Sequence, residues 1–483
     1  LQPGQQQLAI TGIDGRFQIT DAPSGIFTVT AEKPGFFSPQ QVNSQRYGSS
    51  YSFVRLDKDT DSITVKLLPA ASIVGRVVDQ NSEPLENITI LVLVRHHANG
   101  RARWDQVNQS QTDDDGTYRV GNLVPGDYYV ATGPHARRAL NAGGRPDGQN
   151  FDEIYPITYF PGSASQTGAT QISLTPGQEA TADFNLSVEK AYRISGSITS
   201  PGPPQQVMLQ LLDSDGKILQ TPLRRDTGSG FQFSDVPPGA YTIFGIYRDQ
   251  NTVYAVNQPV NIGSTDVINV PAVLSPGASI PIHIQFDREP PVTQKGLVAA
   301  VTLVPESNNP FQVGGTTTWI PESNSLLLSG IAPGKYSVRV NVLNSSYYLV
   351  SATCGSLDLN REDLVIGPGS SPAPIELVLN TGAITVKGTV KNGDIPAEAS
   401  VMLLPETPRA EEPRIVRSDS NGKFQMEGLA PGDYRAYAYF GSDGLEYRNA
   451  DVMKGYQDWA TEVSVEPNQQ PDITVRVISG AGQ

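Results

Sequence analysis

The side chains best suited to contact a ligand lie in one short basic stretch, Arg95-His96-His97-Ala98-Asn99-Gly100-Arg101-Ala102-Arg103-Trp104. Asn-Gly between two alternating runs is a strong hairpin signal, so Arg95, Arg101, Arg103 and Trp104 are expected on an exposed ribbon. Guanidinium groups attract acidic polymers, and an indole stacks on a sugar ring. The chemistry implied is binding, of a polysaccharide or an acidic chain. The plainer reading is a solvated hairpin tip whose charge offsets nearby acids. Downstream, the excursion from Gly133 to Gln171 is far longer than a hairpin requires, and loops of that size are often functional. Its first half carries His135, Arg137 and Arg138 ahead of the Gly-rich segment Ala142 to Gln149. Its second half carries Tyr155, Tyr159 and Phe160, enough aromatic area to fold back onto a sheet. His135, Arg137 and Tyr155 therefore join the hairpin as candidate ligand-binding residues.

Reaction chemistry is harder to find. There is no G-x-S-x-G, Cys354 has no histidine near it in sequence, and His96, His97, His135 and His283 lack zinc-ligand spacing. Neither an enzyme nor a bound cofactor or metal is expected. Asp113-Asp114-Asp115 could attract calcium, but a twelve-residue ligand loop with a distal Glu is missing. A turn explains these aspartates better. Asn87, Asn108, Asn185 and Asn344 head N-x-S/T triplets and are candidate glycosylation sites, relevant only on a glycosylating export route.

The elements that must position these residues follow from composition. Hydrophobic residues make up 38% and charged residues 17%, with Gly 46 and Pro 38, in a chain of 483. Short strands joined by many turns fit that balance, and the class is all-β over several domains. A net charge of -14 disfavours a nucleic-acid partner, which needs clustered Lys and Arg. A single cysteine excludes an intrachain disulfide. No apolar run is long enough to span a membrane, and no export leader opens the chain.

One motif organises the chain. Asp115-Gly116-Thr117-Tyr118-Arg119-Val120 leads into Gly121-Asn122-Leu123-Val124-Pro125-Gly126-Asp127-Tyr128. Related copies place Gly25, Gly126, Gly239, Gly334 and Gly432 in register at intervals of about 100 residues, the size of one β-sandwich. The first turn falls at Asp14-Gly15, Asp115-Gly116, Gly228-Ser229, Ser323-Asn324 and Asn421-Gly422. Period two then predicts core pairs Phe17/Ile19, Tyr118/Val120, Phe231/Phe233, Leu326/Leu328 and Phe424/Met426. After the second turn an aromatic returns as Phe27, Tyr128, Tyr241, Tyr336 or Tyr434. Opening strands are expected over Ser72–Asp79, Ala191–Thr199, Ala278–Asp287 and Ala383–Lys391. Closing strands are expected over Ser62–Leu68, Ala180–Ser187, Val267–Leu274, Ile375–Leu379 and Ile473–Ile478. Linkers of a few residues between them predict a semi-rigid rod.

The pattern D-G-x-[FY]-x-[VI]-x-x-L-x-P-G-x-Y-x-V, with an upstream V-x-G-x-V strand and Pro84 to Leu91, resembles the carboxypeptidase regulatory-like family. The resemblance implies transthyretin-like (Ig-like) seven-stranded β-sandwich modules, normally exported, with an accessory, adhesive or structural role and no peptidase activity. It covers the second and fifth copies best. The third and fourth lack the Asp-Gly, and the first matches only from the motif onward. The division expected is 1–69 as an incomplete sandwich, 70–187 with the long loop 133–171, 188–276, 277–380 and 381–483. The first unit has no room for its opening strands, which leaves three explanations: a natural start further upstream, processing, or completion by a strand from an identical subunit in head-to-tail assembly. The function expected is an extracellular or cell-surface structural or adhesive array. Two alternatives stand beside it, a carbohydrate- or peptide-binding protein using the second unit and the accessory region of a larger secreted enzyme.

Overall fold

The computed structural model describes residues 8–19, 25–28, 31–38, 53–56, 62–98, 100–136, 153–249, 252–288, 299–306, 309, 316–320, 325–407, 410–440, 444–467 and 469–478. From the second copy of the repeat onward, each copy forms a two-sheet sandwich around its own core. The four main cores are gathered from Ala71–Leu186, Ile194–Leu274, Ala278–Leu379 with Ala410, and Ile384–Val477. The fold is an all-β tandem array of such sandwiches.

In every sandwich the opening strand occupies the centre of one sheet, as Ala71–Asp79, Tyr192–Thr199, Ala278–Phe286 or Ile384–Asn392. The motif strand lies antiparallel on one side of it. The closing strand lies parallel on the other. The strand after the Pro-Gly turn starts at Gly126, Gly239, Gly334 or Gly432 and belongs to the facing sheet. The core pairs expected for these four copies are all buried: Tyr118 and Val120, Phe231 and Phe233, Leu326 and Leu328, Phe424 and Met426.

Three recurring devices hold this arrangement. The first is a glycine in the opening strand. A Cβ on Gly75, Gly196 or Gly388 would sit 2.1, 1.9 or 2.4 Å from the carbonyl oxygen of Ala182, Val270 or Ile473, with the ring of Tyr118, Phe231 or Phe424 against the same spot. The aromatic of the motif therefore lies over a bare backbone. The fourth sandwich uses a different pair, Ile282 opposite Leu326.

The second device is a bulge. In all four sandwiches the register between opening and motif strands slips once, at Ala71/Ile73, Tyr192/Ile194, Ala278/Ile280 and Ile384/Val386. Opposite the slip the motif strand carries a left-handed residue, Asn122, Asp235, Gly330 or Gly428, at φ 55, 60, 70 and 78°. Asn, Asp and Gly are the residues that tolerate this conformation, and the extra residue bends the strand toward the facing sheet.

The third is a tyrosine lock. Tyr128, Tyr241, Tyr336 and Tyr434 donate their hydroxyls to the carbonyls of Val124, Pro237, Ala332 and Ala430, at 2.5, 3.0, 2.7 and 2.8 Å. Each bond spans the Pro-Gly turn, so one side chain fills the core and fixes the corner. Tyr336→Phe and Tyr434→Phe are each expected to cost about 1 kcal/mol of stability through the orphaned carbonyl. Urea denaturation of the single variants against the parent measures it.

The aspartate turns prove to be backbone devices. Asp113 Oδ1 accepts from the amides of Asp115 and Thr117 while its Oδ2 accepts from the Thr117 hydroxyl. Those bonds to Thr117 hold the Asp113 carboxyl below its ordinary range. Asp419 accepts in the same way from Asn421 and Lys423, and Asp226 from Gly228 and Gly230. Gly15, Gly116 and Gly422 take the left-handed conformation expected of them. Gly228-Ser229 does not, and the third copy makes its turn with Asp226 alone.

The first copy differs from the expectation. Residues Ser62–Leu67 form no strand, and only Leu68–Pro69 pairs, with Phe36–Phe37. Elsewhere the closing strand lies on an opening strand, and no such partner stands beside 62–67 among the described residues. Ile19 is 38% exposed rather than core. Gly25–Thr28 pairs with Phe53–Leu56.

Junctions between copies are bridged by backbone hydrogen bonds. Glu153–Ile154 of the second pairs with Glu189–Lys190 of the third, and Tyr254–Ala255 pairs with Ser275–Pro276 at the end of the third, beside the start of the fourth. Gly277 N–H donates to Val253 O at 2.7 Å, and Val340 N–H of the fourth sandwich donates to Ala410 O at 3.0 Å. An apolar cluster of Leu212, Phe244, Ile246, Ala255 and Ala332 spans the third and fourth.

Candidate functional site

The hairpin predicted at Asn99-Gly100 is present and long, with strands Thr89–Ala98 and Arg101–Gln111 around Gly100 at φ 72°. Its tip is not an open ribbon. Gly100 is buried against the ring of Tyr447, and its carbonyl accepts from Arg448 N–H at 3.1 Å. Arg95 Nη2 donates to Glu446 Oε2 at 2.6 Å, and His97 Nε2 lies 4.0 Å from the same oxygen. Arg101 Nη2 pairs with Glu306 Oε1. Thus the tip of the second sandwich contacts both the fifth and the fourth. A straight rod would hold the second sandwich away from the fifth, so the expectation of a linear array gives way to one folded back on itself.

The acidic side of this contact is held by hydrogen bonds to its own element. Asn449 caps the short helix Ala450–Lys454, accepting from Asp451 and Val452 amides, and its Nδ2 donates to Glu446 Oε1 at 3.2 Å. Glu446 is 8% exposed. Next to it the Tyr447 hydroxyl donates to Glu412 Oε2 at 2.6 Å. Glu412 also pairs with Arg339 of the fourth sandwich and lies 3.7 Å from Arg448. Burial, reinforced by the Glu412 charge, pushes the Tyr447 phenol up to about 12. Burial lowers the Arg339 guanidinium, against the opposing pull of Glu412. Arg414 donates to Val342 O and to Glu411 Oε1, both at 3.1 Å, so the fourth and fifth sandwiches are tied together beneath the docked hairpin.

The remaining predicted residues separate. Trp104 packs on the outer face of the second sandwich, 4.0 Å from the Tyr129 ring centre at 52° and 6.3 Å from Tyr159. Rings so tilted do not form one flat platform. Arg103 sits opposite His96 in the hairpin ladder. His135 pairs with Tyr155 through the backbone. Tyr155 is 2% exposed and belongs to the core, where its ring is closed to a ligand. Arg137 lies outside the described residues. The second half of the 133–171 excursion thus packs onto the sandwich as expected, with Tyr159 buried and Phe160 edge-on to Phe184.

Asn87 and Asn185 are exposed, and Asn108 and Asn344 are half-buried and hydrogen-bonded locally. The residues not anticipated from sequence are Glu306, Arg339, Glu412, Glu446, Tyr447 and Arg448. Each sits in an ordinary mixed-charge segment, and its partners lie far away in sequence.

No protein-family profile matches the chain. It is 22% identical over 513 aligned residues to Colossin-A of Dictyostelium discoideum, covering 94% of this chain and 4% of that protein's length. Among solved structures, the major pilin subunit of Bacillus cereus is similar at 11% identity, 84% of this chain, 99% of the pilin and a TM-score of 0.13. Two B repeat units of the collagen binding protein of Staphylococcus aureus are similar at 12%, 84%, 99% and 0.15. The Bacillus anthracis TIE protein is similar at 10% identity over 89% of this chain and 54% of its own, with a TM-score of 0.16. Among the described residues no helix is long and apolar enough to cross a membrane.

Proposed function

We propose that this chain is a non-enzymatic structural or adhesive component of the cell surface or extracellular space, built from units that divide near 69, 187, 276 and 380. The observation that carries this reading is the construction of the junctions. Neighbouring sandwiches are bridged by a two-residue ladder or by single backbone hydrogen bonds, and an apolar cluster or ion pairs reinforce the later junctions, which is how a spacer that must transmit force would be built. The repeated Asp-Gly and Pro-Gly-x-Tyr pattern supports grouping the sandwiches with carboxypeptidase regulatory-like modules.

The partner proposed is an identical subunit, joined head-to-tail by strand complementation of the first unit. Leu8, Ile10 and Ile13 support it, being 93, 88 and 112% exposed, an apolar run that a partner strand would cover. Light scattering and negative-stain microscopy of the purified chain test it. Oligomers or filaments that grow with concentration, and are lost on replacing Leu8, Ile10 and Ile13 by Asp, are expected. A parent that stays monomeric at every concentration contradicts it.

A further inference from the structure

We infer that the hairpin tip of the second sandwich is a releasable clasp, docking within the same chain onto a socket formed by Glu446-Tyr447-Arg448 and Glu306 where the fourth and fifth sandwiches meet. The charges are complementary. Arg95, His97 and Arg101 come from the tip, Glu446 and Glu306 from the socket. Shape is complementary as well, since a Cβ on Gly100 would lie 2.6 Å from the Tyr447 ring, so the ring covers a residue without a side chain.

This contact is built unlike the junctions between neighbouring sandwiches. Among the described residues no apolar core cluster includes residues of both the second and the fifth sandwich. One backbone hydrogen bond, the Gly100–Tyr447 contact and the ion pairs do the joining; the Arg95 and Arg101 side chains remain 35% exposed, while those of Glu446 and Glu306 are 9 and 27% exposed. Ion pairs with a partly exposed arginine are reached by salt, which screens them more than fully buried pairs. The contact can therefore open while every sandwich stays folded. Release would separate the second sandwich from the fourth and fifth, leaving the short backbone bridges between neighbouring sandwiches to set an extended form. The clasp thereby selects between a folded-back and an extended array.

Small-angle scattering of the full chain tests this. At about 0.05 M salt the parent should be compact, and at about 1 M, where the Debye length falls to about 3 Å, its radius of gyration and maximum dimension should rise. Arg95→Glu and Glu446→Arg should each give the larger dimensions already at low salt, and combining them should restore the compact form. Gly100→Asn provides an independent variant, because Asn tolerates the left-handed conformation while its side chain meets the Tyr447 ring. It too should extend the chain with unchanged circular dichroism. Identical scattering for parent and all variants would overturn the inference. So would extension accompanied by lost circular dichroism, or a compact species that stays dimeric even after Leu8, Ile10 and Ile13 are replaced by Asp to block head-to-tail assembly.

Discussion

Gly196→Ala is expected to destabilise the third sandwich by about 3 kcal/mol, the upper end of what overpacking costs. The added Cβ would stand 1.9 Å from Val270 O and 2.8 Å from Phe231 Cζ. Neither neighbour can yield easily. The carbonyl belongs to the parallel ladder, and the ring is 3% exposed in the core. The equivalent changes Gly75→Ala and Gly388→Ala meet carbonyls at 2.1 and 2.4 Å, so the effect should fall in that order. Phe231→Leu in the Gly196→Ala background should recover part of the loss, since the fourth sandwich places Ile282 opposite Leu326 at this position. Urea denaturation of the full chain, with hydrogen exchange to assign the transition to residues 192–273, measures both. A loss within 0.5 kcal/mol, the ordinary range for surface changes, would show that the close approach is not a constraint.

Arg339→Met should loosen the junction of the fourth and fifth sandwiches by about 3 kcal/mol, the low end for breaking a buried ion pair. Arg339 is 5% exposed and its partner Glu412 would keep only the Tyr447 hydroxyl and the more distant Arg448. Glu412→Gln added to Arg339→Met should recover part of this by removing the stranded charge. The readout is exchange of the Val340 amide, which donates across the junction to Ala410. Faster exchange in Arg339→Met with partial return in the double variant is expected. Unchanged exchange would mean that the pair does not hold the junction.

The fold was legible because its signals are local. Gly116 and Gly422 need a left-handed turn, Tyr118 and Val120 obey period two, and Tyr128 follows the Pro-Gly turn at fixed spacing in every later copy. The opening-strand glycines stand in the quoted pattern, yet their reason, an aromatic ring and a neighbouring carbonyl at one point, requires three strands at once. The bulge residues Asn122 and Asp235 are ordinary turn formers in sequence, and nothing near them marks a register slip. The candidate site was half legible. Its basic half, Arg95 and Arg101, stands out against an acidic chain. Its acidic half does not, because Glu446 and Glu306 are two acids among 49 Asp and Glu. Tyr155 misled as a ligand contact because an aromatic inside a long loop looks the same whether it faces solvent or core.

The account rests on sandwiches that fold and bear load as separate units joined by short backbone bridges. Pulling single chains from their two ends tests this most directly. The account predicts successive unfolding events, each lengthening the tether by roughly 300 Å, as about 100 residues at about 3.4 Å would. Opening of the clasp should precede them as a smaller, salt-dependent step. Smooth extension without steps, or one event releasing the whole chain, would contradict it.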